Sequence, residues 1–212
     1  DYNSISNSSN LTFENVDYEM TSSHNGTFWM INNSGTFTSI NSSYDINRTT
    51  NHSYQNDHWY VYGVYNTGTV NMIGGKINMY DTSNASSSVT RFYGVRNLNS
   101  STSNIDGTNI EIGTKENTGG GYLSYDLSHE SSSTNNTLKN IDFKVNNQYN
   151  GYGIYLNTGH MTVETGNIDI KATTARGVYI NEASAEFTLG IEDGSGTADA
   201  DVSITNPLIQ AI

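Results

Sequence analysis

The sequence predicts an all-β chain wound as a single-stranded parallel β-helix, or β-solenoid, of about six to seven coils with three short strands in each. Three observations carry that reading. A self-similar unit returns about every 25 to 33 residues along the whole chain. Apolar residues alternate with polar ones, and no segment shows a helical stripe. The bends fall on Asn and Gly, in a chain with 20 Gly and 1 Pro.

The first anchor of the unit is Tyr62-Gly63-Val64-Tyr65-Asn66. It returns as Tyr93-Gly94-Val95-Arg96-Asn97, Tyr152-Gly153-Ile154-Tyr155 and Arg176-Gly177-Val178-Tyr179, with looser copies at Phe28-Trp29-Met30-Ile31-Asn32 and Tyr122-Leu123-Ser124-Tyr125. A turn such as Asn66-Thr67-Gly68 or Asn157-Thr158-Gly159 follows, then a second strand such as Thr69-Val70-Asn71-Met72-Ile73. A corner such as Gly74-Gly75 leads to the third strand, which recurs as Asn15-Val16-Asp17-Tyr18, Lys76-Ile77-Asn78-Met79, Asn109-Ile110-Glu111-Ile112, Asn140-Ile141-Asp142-Phe143 and Asn167-Ile168-Asp169-Ile170. Asn and Gly tolerate the positive φ that each bend requires, and Pro would remove an N–H from the ladder between coils. The step from Phe13 to Val16 breaks the alternation and marks a bend there. A segment of variable length closes each coil. The same texture runs throughout, so residues 1–212 read as one elongated domain, expected to be a fragment of a longer surface protein.

Composition narrows the function classes. The net charge is −12, and the nine Lys and Arg are scattered, where a nucleic-acid binder needs them clustered to displace counterions. Neither nucleic acid nor membrane insertion is therefore expected; no window approaches the ~18 apolar residues of a spanning helix. With no cysteine there is neither a disulfide frame nor a thiolate metal site. The 15 Tyr, 6 Phe and 2 Trp, with many Ile and Val at strand spacing, separate the chain from disordered segments of similarly low charge. Ten Asn-x-Ser/Thr sequons occur, as an Asn- and Ser-rich chain produces by chance, the alternative being real glycosylation in a host that performs it.

Strict alternation about Val64, Val95, Ile154 and Val178 as inward residues assigns Tyr62, Tyr93 and Tyr152 to the inner face. It points Tyr65, Arg96, Tyr155 and Tyr179 to solvent, with Tyr125 in register from its looser copy. Such a column would offer ring faces to sugars, with one guanidinium among them. Aromatic ladders also stabilise a sheet with no ligand at all, so this second role stays open. A second candidate is the segment 47–59, where His52, Tyr54, His58 and Trp59 gather in one closing loop, the kind of place in which a rigid scaffold holds a binding site. His52 and His58 lack a metal-ligand spacing. Glu192, Asp193, Asp199 and Asp201 make an oxygen-rich stretch that suits calcium but matches no calcium-loop pattern. No metal or other cofactor is expected, calcium being the one weak candidate. No Ser/His/Asp constellation, phosphate loop or zinc signature is present.

Asn10-Leu11-Thr12-Phe13-Glu14-Asn15-Val16, the Tyr-Gly-Val-Tyr-Asn-Thr-Gly run continuing into Thr-Val-Asn-Met-Ile-Gly-Gly, and Phe187-Thr188-Leu189-Gly190-Ile191-Glu192-Asp193-Gly194 resemble the pectate-lyase-like repeats of Gram-positive cell-surface adhesins. The binding regions of serine-rich-repeat adhesins are similar too. The resemblance implies a right-handed helix, secreted and displayed on a bacterial cell wall, that binds polysaccharide or host glycan. Arg48, Arg91, Arg96 and Arg176 sit in no lyase motif, so the expected function is non-catalytic adhesion through Tyr65, Arg96, Tyr125, Tyr155, Tyr179, His52, Tyr54, His58 and Trp59. The alternatives are a structural spacer or self-associating subunit and, further off, a polysaccharide lyase or hydrolase.

Overall fold

A computed structural model describes residues 2–23, 26–49, 59–81, 90–113, 123–133, 135–146 and 149–190, with the backbone of 202–205 and 210–211. Strands follow one another in threes. β1 (Tyr2–Asn7), β2 (Asn10–Glu14) and β3 (Asp17–Ser22) form the first coil, and β4 (Phe28–Asn33), β5 (Thr36–Ile40) and β6 (Ser43–Arg48) the second. β7 (Trp59–Asn66), β8 (Thr69–Ile73) and β9 (Lys76–Asp81) lie beside β10 (Thr90–Asn99), β11 (Thr102–Asp106) and β12 (Asn109–Gly113). Then come β13 (Leu123–Ser131), β14 (Thr137–Lys139) and β15 (Ile141–Asn146), followed by β16 (Asn150–Leu156), β17 (His160–Val163) and β18 (Gly166–Lys171). β19 (Thr174–Ile180), β20 (Glu186–Leu189) and β21 (Val202–Thr205) make the seventh coil, and β22 (Gln210–Ala211) opens another.

Equivalent strands stack into three parallel sheets. Sheet A holds eight strands (β1, β4, β7, β10, β13, β16, β19, β22), sheet B seven from β2 to β20, and sheet C seven from β3 to β21. This is a right-handed parallel β-helix, as the repeat period and its bends predict. Equivalent residues on adjacent coils stand between 24 and 36 positions apart. The difference is absorbed mainly between sheet C and sheet A, with a further long connection between β20 of sheet B and β21 of sheet C.

The interior is filled by the inward members of each strand. Ile77, Met79, Ile110, Ile112, Phe143, Val145, Ile168 and Ile170 from sheet C face Val70, Met72, Ile105, Leu138, Met161 and Val163 from sheet B. Near the start of the helix, Phe13, Phe37 and Tyr44 pack edge-on and stacked, with ring centroids 5.8 to 6.5 Å apart. The buried Tyr44 hydroxyl is satisfied by Ser39 Oγ at 2.8 Å.

The corners follow local chemistry. Between sheets B and C the same bend is made by Asn15, Asn41, Gly74, Gly107 and Asn140, at φ 54°, 48°, 63°, 70° and 50°. Only residues with a short polar side chain or none adopt that region readily. Asn15 is the bend announced by the step from Phe13 to Val16. Between sheets A and B a buried asparagine ladder runs along the helix: Asn7 Nδ2 donates to Asn33 Oδ1 at 2.7 Å, Asn33 to Asn66 at 2.8 Å and Asn66 to Asn97 at 2.9 Å. The same amides also donate to the backbone oxygens of Thr36, Thr69 and Thr102 one coil on, so the polar groups of each turn are bonded within the protein.

Candidate functional site

The outer face of sheet A carries the aromatic residues, but alternation does not place them all. Val61, Val64 and Asn66 are inward on β7. Two residues, Tyr62 and Gly63, stand between the inward Val61 and Val64, so the period slips by one at the glycine. A Cβ on Gly63 would lie 2.5 Å from the Gly94 carbonyl oxygen, and one on Gly94 would lie 2.5 Å from the Asp126 carbonyl oxygen. Backbone approaches this close on neighbouring coils favour glycine.

Tyr62, Tyr93 and Tyr152, expected inside, therefore stand on the outer face. Tyr125, expected beside Tyr65, is in register with them instead. Trp29, Tyr62, Tyr93, Tyr125 and Tyr152 form one continuous stack, with successive centroids at 6.1, 4.9, 4.8 and 4.8 Å and interplanar angles of 10° to 26°. Because each ring covers its neighbour's face, Tyr62 and Tyr93 are only 3% and 6% exposed although they point outward. Such rings cannot offer their faces to a sugar. Burial pushes the Tyr62 phenol up to about 12 despite the Arg96 guanidinium, and it raises those of Tyr93 and Tyr125 further.

The second outer column matches expectation at four of its positions. Tyr65, Arg96, Tyr155 and Tyr179 are in register, with Ser128 at the place between Arg96 and Tyr155. Tyr65 lies edge-on to Tyr62 at 5.3 Å and to Trp29 at 6.0 Å, and Tyr155 lies edge-on to Tyr125 at 5.5 Å. Tyr179 tilts against Tyr155 at 5.7 Å. These rings are half-buried, so part of each is open.

Arginines tie the columns together. The Arg96 guanidinium lies 5.1 Å from the Tyr93 ring and donates to the Tyr62 hydroxyl at 2.9 Å. It also makes a two-pronged pair with Glu130, Nε to Oε1 at 2.9 Å and Nη2 to Oε2 at 3.1 Å. Burial alone would lower the Arg96 pKa, but the Glu130 hydrogen bonds and charge hold the group above its ordinary value. Arg91 lies over Tyr60 at 5.4 Å, and Arg176 lies over Tyr179 at 4.8 Å and Tyr152 at 5.3 Å. Three of the four arginines of this acidic chain thus share one face. Their partners followed from no local motif; only the correct register reveals them.

Of the loop candidates, His52, Tyr54 and His58 lie outside the described residues, as does the acidic stretch from Glu192 to Asp201. Trp59 is not an exposed loop ring. It begins β7 at 5% exposure, with the Arg48 guanidinium 4.6 Å above it and Asp81 3.3 Å from Arg48. Among the described residues no three His, Asp or Glu gather closely enough to hold a metal ion.

Two buried polar residues were not anticipated, both on β13. His129 occupies the place that Asn66 and Asn97 hold in the asparagine ladder. Asp126 occupies the glycine place between Gly94 and Gly153. Comparison with protein-family models, with curated proteins and with solved structures finds no match to this chain.

Proposed function

We propose that the protein is a non-catalytic adhesin module of a secreted or surface-displayed bacterial protein, which holds polysaccharide or host glycan along the outer face of sheet A. The observation behind this reading is the row of half-open rings at Tyr65, Tyr155 and Tyr179, the first two edge-on to the tyrosine stack and the third tilted against Tyr155, with the half-buried Arg96 between them. A pyranose packs against an open ring while its hydroxyls bond the polar groups beside it. Each ring contact is worth about 0.5–1.5 kcal/mol, so affinity builds by repetition along an extended chain rather than at one deep pocket. Phenol rows backed by their neighbours lose little freedom on binding, which helps weak contacts add.

A glycan array that includes pectin, probed with the full chain, tests this. Saturable binding is expected, weakened roughly two- to tenfold by Tyr65→Ala or Tyr155→Ala with the far-UV spectrum unchanged. No shortened or unsaturated oligosaccharide should appear on incubation. Failure of the unaltered chain to bind across the array would overturn the reading in favour of a spacer role, and product formation would overturn its non-catalytic part.

A further inference from the structure

Two titratable side chains on β13 are fully buried, each at 0% exposure, and neither has a charged partner. Asp126 stands in the interior at a position where the coils before and after it have Gly94 and Gly153. Neither carboxyl oxygen has a hydrogen-bond partner among the described residues. An ionised carboxylate left so would cost far more than a protonated one. His129, three residues on, lies in the polar seam of the asparagine ladder. Its Nδ1 faces the Asn97 amide at 3.3 Å and its Nε2 the Asn136 amide at 3.4 Å. Both amides already donate elsewhere, Asn97 to Ser103 Oγ and Asn136 to the oxygens of Ser133 and His160. The backbone of Ser133 and Ser131 also bonds the ring and favours its proton, but burial outweighs both, and the seam supplies no carboxylate of its own to balance a charged imidazole.

The charges that face the pair do not change this. The acidic groups whose charge reaches Asp126 are Asp142 and Glu111 on the outer face of sheet C, and Asp142 is bonded to Lys144. Next to His129 on its own strand is Glu130, whose carboxylate is taken by Arg96 from β10. The register neighbours from β10 and β16 are Gly94 and Gly153 beside Asp126 and Asn97 and Leu156 beside His129, none of them titratable.

We propose that Asp126 and His129 form a compensated proton pair: folding buries one acid with its proton and one base without, so that the middle of the helix keeps its stability across mildly acidic solution although either group alone would make it pH-sensitive. Burial, and then the nearby Asp142 and Glu111 charges, hold Asp126 well above its ordinary 3.8. Its contribution is complete below pH 3.8 and is lost as pH rises toward the folded value. Burial lowers His129 from 6.5 to about 4, so its contribution is complete above 6.5 and is lost as pH falls to about 4. Between about 4 and 6.5 the unfolded chain carries the proton on histidine and the folded chain carries it on aspartate. The counts are equal and the two slopes cancel. Above 6.5 the unfolded histidine has already released its proton, the cancellation ends, and β13 loosens as pH rises.

Equilibrium urea unfolding of the full chain from pH 3.5 to 8.5 tests this, with Asp126→Gly, His129→Asn and the double variant. Asp126→Gly installs the residue that both neighbouring coils carry at that place and His129→Asn the residue of the preceding coil, so all three variants retain the coil. The double variant supplies the background of all other groups. Against it, Asp126→Gly should gain about tenfold in folding equilibrium per pH unit from 4 to 6.5, and His129→Asn should lose by the same order as pH rises over that range. The unaltered chain should run parallel to the double variant there and fall away from it above 6.5. In parallel, ring-nitrogen NMR of His129 should report a neutral imidazole at pH 5. Single variants that run parallel to the double variant, or a charged His129 at pH 5, would overturn the proposal.

Discussion

Replacing Asn66 by Ala interrupts the buried amide ladder at its centre. Asn66 Nδ2 donates to Asn97 Oδ1 at 2.9 Å and to the Thr102 carbonyl at 3.0 Å, while its Oδ1 accepts from Asn33 at 2.8 Å and from the Gly68 N–H at 3.0 Å. At about 1 kcal/mol net per bond the four total roughly 4 kcal/mol. Asn33 Nδ2 keeps Gly35 and Thr69 as acceptors, which lowers the cost, whereas Asn97 Oδ1 and the Gly68 N–H each lose a partner inside the protein. The expected loss is therefore about 2–4 kcal/mol, a fall of about 1–2 M in the urea midpoint for a slope near 2 kcal/mol/M. The control is Asn104→Ala, which removes the exposed amide pair between Asn104 and Asn71 at 3.0 Å and should cost under about 0.5 kcal/mol. Circular dichroism at 218 nm and tryptophan fluorescence, followed together, also report whether the coils unfold as one unit. Equal midpoints for the two variants would refute the argument that burial, rather than bond count, gives the ladder its weight.

Three further outcomes follow from the same geometry. Gly94→Ala places a Cβ 2.5 Å from the Asp126 carbonyl oxygen and 2.6 Å from Ile110 Cγ2, so thermal unfolding should show a loss of about 2–3 kcal/mol. Asp81→Ala leaves the Arg48 guanidinium buried against Trp59 without its carboxylate, and denaturant titration should register a loss of about 3 kcal/mol that an Arg48→Met, Asp81→Leu double variant largely recovers. In alkali the Tyr62 phenol, raised to about 12, and those of Tyr93 and Tyr125, raised further, hold their protons in the folded state. Stability drains as pH climbs above 10, and the 295 nm absorbance should show a late step that coincides with loss of the β signal.

The solenoid was legible because its determinants are local. Alternation names the inward residues of sheets B and C, and the Asn or Gly at 15, 41, 74, 107 and 140 is enough to mark a corner. Sheet A was legible only in part, since alternation was carried through Tyr62-Gly63-Val64 as though the strand were regular. The glycine lets one coil's backbone sink against the next, which resets the face of every residue before it and turns Tyr62, Tyr93 and Tyr152 outward. The recurrence of Gly at 63, 94, 153 and 177 was the available sign. Tyr125 was misplaced for a related reason: in its coil the glycine place is Asp126, so the anchor was matched to Tyr122 instead. His129 escaped notice because it stands where an asparagine is expected, and its role depends on a partner 32 residues away. Ring stacking, which closes the faces of the central column, is a property of the register between coils and has no local signature.

The asparagine ladder has a sense as well as a position. Every amide from Asn7 to Asn66 gives its proton forward, coil to coil, to the oxygen of the next. The helix axis therefore resembles a row of arrows more than a rod with interchangeable ends. A twofold axis would bring donor against donor or acceptor against acceptor, so no symmetric pair of such helices can continue the row. The forward end of the row closes inside the helix, where Asn97 meets Ser103 and His129, so only the Asn7 end can be continued, and whatever continues it must arrive head to tail with a donor.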